Sequence, residues 1–407
     1  MKCRHCKKLI KNTFIDLGFA PPSNAYLTEG ALNYAEKHYP LKVEVCTNCW
    51  LVQTRDYTQA NELFTADYAY FSSTSVSWLA HAAHYTETMI ERLELNETSY
   101  VIEVASNDGY LLKNFLAAGI PCLGIEPTAS TAAVAEQLQI PVLREFFGEE
   151  LGKKLALNGQ QSDLIIGNNV YAHVPDINDF TLGLKAALKP GGTLTLEFPH
   201  LMQLISDAQF DTIYHEHFSY LSLHTVKSIF EAAGLRILDV EKILTHGGSL
   251  RVFGCHADDV RQTAPVVEAL YAEELRNGLQ CLNTYKNFQR KANLLKDDLL
   301  NFLIEKKRAG KKVVAYGAAA KGNTLLNYAG VKPDLLPFVC DASLAKQGKY
   351  MPGSHIPILP PSALIEFNPD FVVILPWNIA EEITNQLESL VSKNTKFVTA
   401  VPRLQIK

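Results

Sequence analysis

From Tyr100 onward, short apolar segments alternate with helix-forming ones, and this alternation restricts the fold more than any other feature of the chain. YVIEVA (100–105), PCLGIEP (121–127), SDLIIGNNV (162–170) and GGTLTLEFP (191–199) read as strands; YLLKNFLAAG (110–119) and TASTAAVAEQLQ (128–139) read as helices between them. Apolar strands joined by helices imply a parallel sheet covered on both faces. Helical periodicity dominates residues 260–312, and the strand–helix pattern then resumes. KVVAYGAAAKGNTLLNYAG is strand, loop and helix, and LLPFVCD and FVVILPW are further strands. The expectation is an α/β protein with a central doubly wound, Rossmann-like unit and a smaller Rossmann-like unit at the C-terminus. A chain of 407 residues has room for two or three domains.

Residues 1–66 differ in character. Cys3-x-x-Cys6 and Cys46-x-x-Cys49 place four of the eight cysteines in two tight turns. Four thiolates aimed at one point suit a tetrahedral structural Zn2+, and such a site leaves no position open for substrate. A redox pair is the alternative for one CxxC, but two in one lobe favour zinc. His5, inside the first turn, reads as a bystander. Cys122, Cys255, Cys281 and Cys340 sit among apolar neighbours and read as buried thiols. The expected division is a zinc-binding domain over 1–66, a central α/β domain over 67–256, and a helical segment with the second α/β unit over 257–407.

Apolar residues make up 47% of the chain, charged residues 20%, and the net charge is −5. No Lys/Arg run is long enough to grip a phosphate backbone or an anionic membrane, which argues against nucleic acid and membrane as partners. The N-terminal MKCRHCKKLI lacks the apolar core of a signal peptide, and no apolar run approaches the roughly 18–20 residues of a membrane span. The chain reads as cytoplasmic and as a monomer or weak homo-oligomer.

In open α/β sheets, ligands bind outside the carboxyl ends of the strands. Glu103, Ala105, Ser106, Asn107, Asp108 and Gly109 occupy that position after the first strand, where helix N–H groups can meet a carboxylate. Gly109 is expected to let the backbone approach a cofactor. Glu126, at the end of the next strand, stands where an acidic residue grips a ribose diol. The G-x-G-x-x-G fingerprint is absent, with Ala105 where a glycine would be, so S-adenosylmethionine (SAM) is favoured over NAD. A βα turn without ligand is the plain alternative. Asn168 and Asn169 end a later strand at the same edge.

In the C-terminal unit, Tyr316, Gly317, Ala319, Lys321 and Asn323 follow a strand and open a helix. Small residues let N–H groups approach a pyrophosphate, and Lys321 adds charge. Asp341, Trp377 and Asn378 end later strands. This unit reads as nucleotide-binding, against a domain of the same fold kept for structure alone.

Tyr214-His215-Glu216-His217 gathers an imidazole that titrates near neutrality, a carboxylate and a phenol, the groups that proton abstraction and oxyanion stabilisation need. In an extended segment His215 and His217 would project alike. A metal site and satisfied structural histidines are the alternatives. His173 and His200 in strand-end loops, His246 in a glycine-rich turn, and Arg251 beyond it are candidate substrate contacts. Loop caps, a hairpin turn and a surface ion pair are their plain readings.

Behind the CxxC pairs, the motifs EVASNDGYLL, NNVYAHVPD, EFPHL, DTIYHEHFSYLSL, HGGSLRVF and YGAAAKGNTLLN occur in the order that resembles the SAM-dependent sugar C-methyltransferases. That family includes the C-3-methyltransferases of mycarose, tetronitrose and kijanose biosynthesis. The resemblance spans nearly the whole chain, and Tyr-His-Glu-His and Ala-Lys-Gly-Asn are its distinctive parts. It implies a zinc lobe, a SAM domain and a C-terminal domain that helps hold a nucleotide. The implied reaction adds a methyl group beside the ketone of a dTDP-4-keto-deoxyhexose, with C-3 the expected carbon. His217 is implied as general base with Tyr214, Glu216 and His215 around it, Tyr70 over the cofactor pocket, and His246 near the substrate. A nucleotide-sugar dehydrogenase or epimerase using NAD, and a non-catalytic zinc-scaffolded binding protein, are the competing readings.

Overall fold

The computed structural model describes residues 1–57 and 71–407, so Tyr70 lies outside the described residues. The N-terminal lobe is an antiparallel meander of β1 (Asn12–Ala20), β2 (Tyr39–Val45) and β3 (Val52–Thr54). Helix α1 (Val76–Leu93) leads out of it, its first turn capped by the Ser75 hydroxyl accepting from Trp78 N–H.

The central unit follows as β4 (Val101–Val104), α2 (Leu112–Ala117), β5 (Cys122–Ile125), α3 (Ala129–Gln137), β6 (Val142–Leu143), α4 (Glu149–Leu157), β7 (Ser162–Asn168), α5 (Ile177–Ala187) and β8 (Leu188–Pro199). Then come α6 (Leu201–Ser206), β9 (Ser219–Tyr220), α7 (Leu223–Ala233), β10 (Leu235–Ile243) and β11 (Ser249–His256). Seven of these strands form one sheet in the order β10-β11-β8-β7-β4-β5-β6. All run parallel except β11, which is antiparallel to both its neighbours. The first strand, β4, lies between β5 and β7, which is the point where the winding reverses and a crevice opens. Every residue of β4 and β5 is buried, because helices cover both faces.

Helices α8 (Pro265–Arg276), α9 (Leu282–Lys286) and α10 (Phe288–Arg308) lead to the C-terminal unit. Its sheet has the order β14-β13-β12-β15-β16-β17, from β12 (Val313–Tyr316), β13 (Val339–Cys340), β14 (Ile358–Leu359), β15 (Phe371–Ile374), β16 (Lys396–Thr399) and β17 (Gln405–Ile406). Helix α11 (Ala320–Ala329) follows β12, which again sits between the two winding directions.

Two features were not legible in the sequence. The lobe's sheet is closed by β9, a two-residue strand just past Tyr-His-Glu-His, which pairs Tyr220 with Val52 and Ser219 with Gln53. The lobe also shares its core. Phe14, Val43 and Val45 pack with Phe288, Leu299, Val313 and Val339 in one hydrophobic cluster, and Phe14 stacks on Phe288 at 4.4 Å. Of the scattered cysteines, Cys122, Cys255 and Cys340 are buried, but Cys281 is exposed at the start of α9, where the chain turns outward between helices. Among the described residues, no helix is long and apolar enough to cross a membrane.

Candidate active site

The four lobe cysteines converge. Their sulfurs all lie within 4.8 Å of one another, with Cys3–Cys49 and Cys6–Cys46 at 3.5 Å. Zn–S bonds of about 2.3 Å in a tetrahedron place sulfurs roughly 3.8 Å apart, so the cluster fits zinc without rearrangement. Gln53 Nε2 donates to the Cys3 sulfur at 3.2 Å. His5 is occupied elsewhere, with its ring nitrogens on Asn178 and Ser228.

The loop after β4 is held in an unusual shape, with Ala105, Asn107 and Gly109 all at positive φ. Asn107 N–H donates to Glu126 Oε2 at 3.0 Å and Thr128 N–H to Glu126 Oε1 at 2.8 Å, so the acid at the end of β5 fixes the loop as well as facing the crevice. From the other side, Ser72 N–H donates to Asn107 and Ser73 N–H to Asp108. Among the described residues, several buried polar atoms here have no hydrogen-bond partner: Glu103 Oε2, Ser106 Oγ, Asp108 Oδ1 and both amide atoms of Asn168. Buried polar atoms are normally paired, so such a cluster marks a surface that fits a polar ligand such as SAM. Burial, then Asp108 and Glu126, pushes Glu103 well above the usual carboxylate range. The need for glycine at 109 has a different origin from the one expected. A Cβ there would lie 2.5 Å from Ile140 and 3.1 Å from Ala135, and φ is +77°, so both packing against Ile140 and Ala135 and the left-handed backbone call for glycine.

The Tyr-His-Glu-His segment is a turn, not a strand. His217 N–H donates to Tyr214 O at 3.0 Å, so the two histidines diverge. His215 points to the lobe, with Nε2 donating to Tyr39 O at 3.3 Å. His217 points inward, with Nδ1 donating to Thr212 O at 2.7 Å. A carbonyl can only accept, so the proton is on Nδ1 and Nε2 carries the lone pair. Tyr214 packs over the His217 ring at 4.0 Å and His173 meets it edge-on at 4.6 Å. Burial, then the charge of His173, holds His217 well below the ordinary imidazole range. Burial likewise lowers His173 to about 4 and His246 to about 3. The Glu216 carboxylate accepts from Asn24 Nδ2 of the lobe at 2.8 Å on each oxygen. Thr54 of β3 donates its hydroxyl to His217 O at 3.2 Å.

Opposite stands the C-terminal unit. Lys321 Nζ donates to Asn378 Oδ1 at 2.9 Å and lies over the Trp377 ring. Ala318 N–H is held by Asp341 Oδ2 at 2.7 Å. Tyr316 ends β12 nearly buried, and Ala319 caps α11. Asn323 is wholly buried and turned toward the lobe, with Nδ2 donating to Ser23 O. Gly317 carries a positive φ of 92° beside Pro376. The His246 turn closes the cleft, with Asn169 Nδ2 donating to His246 Nε2 at 3.0 Å. A Cβ on Gly247 would meet the Trp377 ring at 2.4 Å, so only glycine lets the two loops touch.

Two candidates lie in other places. His200 is buried against α8, 2.7 Å from Glu274, whose carboxylate also takes the first N–H groups of α7. Arg251 is buried in the central sheet, ion-paired to Glu197 at 2.6 Å and to Glu241 at 3.0 Å, and stacked on Tyr85. Its guanidinium is thus engaged by carboxylates, not held out toward a phosphate. Sequence reasoning passed over Asp211, Asn24 and Thr54. Asp211 had a weak signal in its position three residues before Tyr214; the other two had none, because only folding brings them near.

Family models match three consecutive segments: "Putative zinc binding domain" over residues 3–64, "Methyltransferase domain" over 70–240 and "C-methyltransferase C-terminal domain" over 244–402. The C-methyltransferase NovU of Streptomyces niveus is 32% identical over 405 residues, covering 100% of this chain and 96% of its own. Two solved structures align at lower similarity. They are the magnesium protoporphyrin IX methyltransferase of Synechocystis with bound SAH (14% identity, 44% of this chain, 83% of its own, TM-score 0.34) and the PH0226 protein of Pyrococcus horikoshii (12%, 49%, 100%, 0.39). With such full-length similarity to one curated enzyme, and with loops and thiols that fit a SAM cofactor and a structural zinc, this chain belongs to the SAM-dependent C-methyltransferase family.

Proposed function

We propose that the enzyme methylates the carbon beside the ketone, C-3, of a dTDP-4-keto-deoxyhexose, through an enolate formed by His217. One observation carries this reading: a buried imidazole held as a neutral base, with Nδ1 tied to Thr212 and the Nε2 lone pair left for chemistry. Methylation at carbon needs a carbon nucleophile, and a ketone acidifies the neighbouring C–H for a base of this kind. SAM, when bound at the β4 loop, supplies the electrophilic methyl group that the enolate captures.

His217 Nε2 takes the C-3 proton. The Tyr214 hydroxyl is the donor assigned to the enolate oxygen, in a site whose low dielectric strengthens such a bond. Burial, with the Lys321 ammonium close by, disfavours a cation on His217 and keeps the base in its active form. Glu216, fixed by Asn24, anchors the turn. Lys321 and Asn378 take the pyrophosphate, while Glu103, Ser106, Asp108, Glu126 and Asn168 hold SAM.

Incubation with SAM and dTDP-4-keto-6-deoxyhexoses should give a product heavier by one methyl group. In deuterated water the C-3 hydrogen should exchange without SAM in wild type but not in His217→Ala. No methylated product from any such sugar would overturn the substrate; exchange at the wild-type rate in the variant would overturn the base.

A further inference from the structure

Asp211 plays no part in the chemistry above, yet it is wholly buried beside it. It lies in the Phe210–Thr212 turn that precedes Tyr214. Its Oδ2 accepts from the Trp377 indole N–H at 2.7 Å, and its Oδ1 has no hydrogen-bond partner among the described residues. Trp377 has three contacts that together fix its plane: the Asp211 carboxylate at its N–H, the Lys321 ammonium 4.9 Å above its ring, and the bare Cα of Gly247 at its rim. Lys321 is therefore placed by an aromatic face that a carboxylate orients, and the same carboxylate is the counter-charge acting on the ammonium. The other titratable groups near Lys321 are His217 of the catalytic turn and His246 of the glycine turn, both held neutral.

A carboxylate buried with one oxygen unmatched is expensive unless it serves a nearby cation. We propose that Asp211 is a positioning residue: through the Trp377 indole and the charge of Lys321, it holds the lysine ammonium ready for the pyrophosphate of the nucleotide sugar. This rests on the substrate reading above. It also makes the catalytic turn and the phosphate site one unit, since Asp211 and His217 belong to the same short segment. Burial lowers Lys321 to about 8, and Asp211 opposes that fall. Without the carboxylate charge, the amine should lose its proton at lower pH.

The test uses Asp211→Asn and Trp377→Phe in the full-length zinc-loaded enzyme. Lys321 is followed by its rate of acetylation with trace acetic anhydride across the neutral and alkaline range, read by peptide mass spectrometry. In Asp211→Asn the midpoint should fall by about one pH unit, and KM for the sugar nucleotide should rise roughly tenfold, more than kcat falls. Trp377→Phe keeps the carboxylate and removes its indole bond, so KM should rise with a smaller change in midpoint. Retained SAM affinity shows that each variant is folded. A wild-type midpoint and KM in both variants would overturn the proposal. If wild-type enzyme turned over no nucleotide sugar, the substrate reading would fall while the acetylation midpoint still judged Asp211.

Discussion

The loops after β4 and β12 sit at the same topological position in two different sheets, and they are built alike. In each, an acid at the end of the next strand accepts an N–H from the loop: Glu126 from Asn107, and Asp341 from Ala318. What differs is the charge around them. The first loop gathers Glu103, Asp108 and Glu126, and burial together with the two neighbouring acids raises Glu103. The second carries the Lys321 ammonium at the cleft, with small residues ahead of it. On the proposed function, one backbone device would serve a cationic cofactor in one sheet and an anionic substrate in the other, with the side chains setting the sign.

This contrast can be broken at four points. His217→Ala should have the largest effect, lowering kcat by about 10²–10⁴ while both ligands still bind, because on the proposed mechanism the base belongs to neither loop. Isothermal titration beside steady-state kinetics would check it; lost binding of either ligand would blur the division. Lys321→Ala should weaken the sugar nucleotide by roughly 10–100-fold and leave SAM affinity unchanged, as expected for a charge-assisted hydrogen bond. Glu126→Gln should do the reverse, weakening SAM by about tenfold with little effect on the sugar nucleotide.

The smallest effect is on stability. His173, His217 and His246 have folded pKa values below those of the unfolded chain. Between the two values the unfolded chain binds more protons, so stability is full above the ordinary imidazole pKa of about 6.5 and is lost as pH falls toward 4. Calorimetry should find Tm dropping over that window, and replacing His173 by a neutral Gln should flatten the drop. A Tm independent of pH there would show that these imidazoles are not buried as neutral bases.

Much of the fold was legible because it is local. Alternating apolar strands and helices mark β4 through β8 and β12 through β15, and the loops at both points of reversed winding follow from strand order. What could not be read depends on partners far apart in sequence. His200 and Arg251 have the same chemistry as His217 and Lys321, but Glu274 and Glu197 satisfy them in the interior. Nothing in their local sequence separates the two cases. The segment around His217 resembled an extended one because its turn carries no Gly or Pro. Gly109 was recognised as required but for the wrong neighbour, since the approach of Ile140 is a tertiary fact.

The pairing of β3 with β9 has a consequence for how the molecule is made. On the ribosome the lobe's first three strands emerge early, but their sheet keeps an open edge until residues 219–220 arrive. At about 5–20 residues per second that interval is roughly 8–30 seconds. During it the exposed edge of β3 is open to wrong partners, and zinc held by the four thiols is the local restraint on the nascent meander. When β9 docks, it delivers His217 against Thr54 in the same step, so this imidazole is set at the moment the N-terminal sheet is finished.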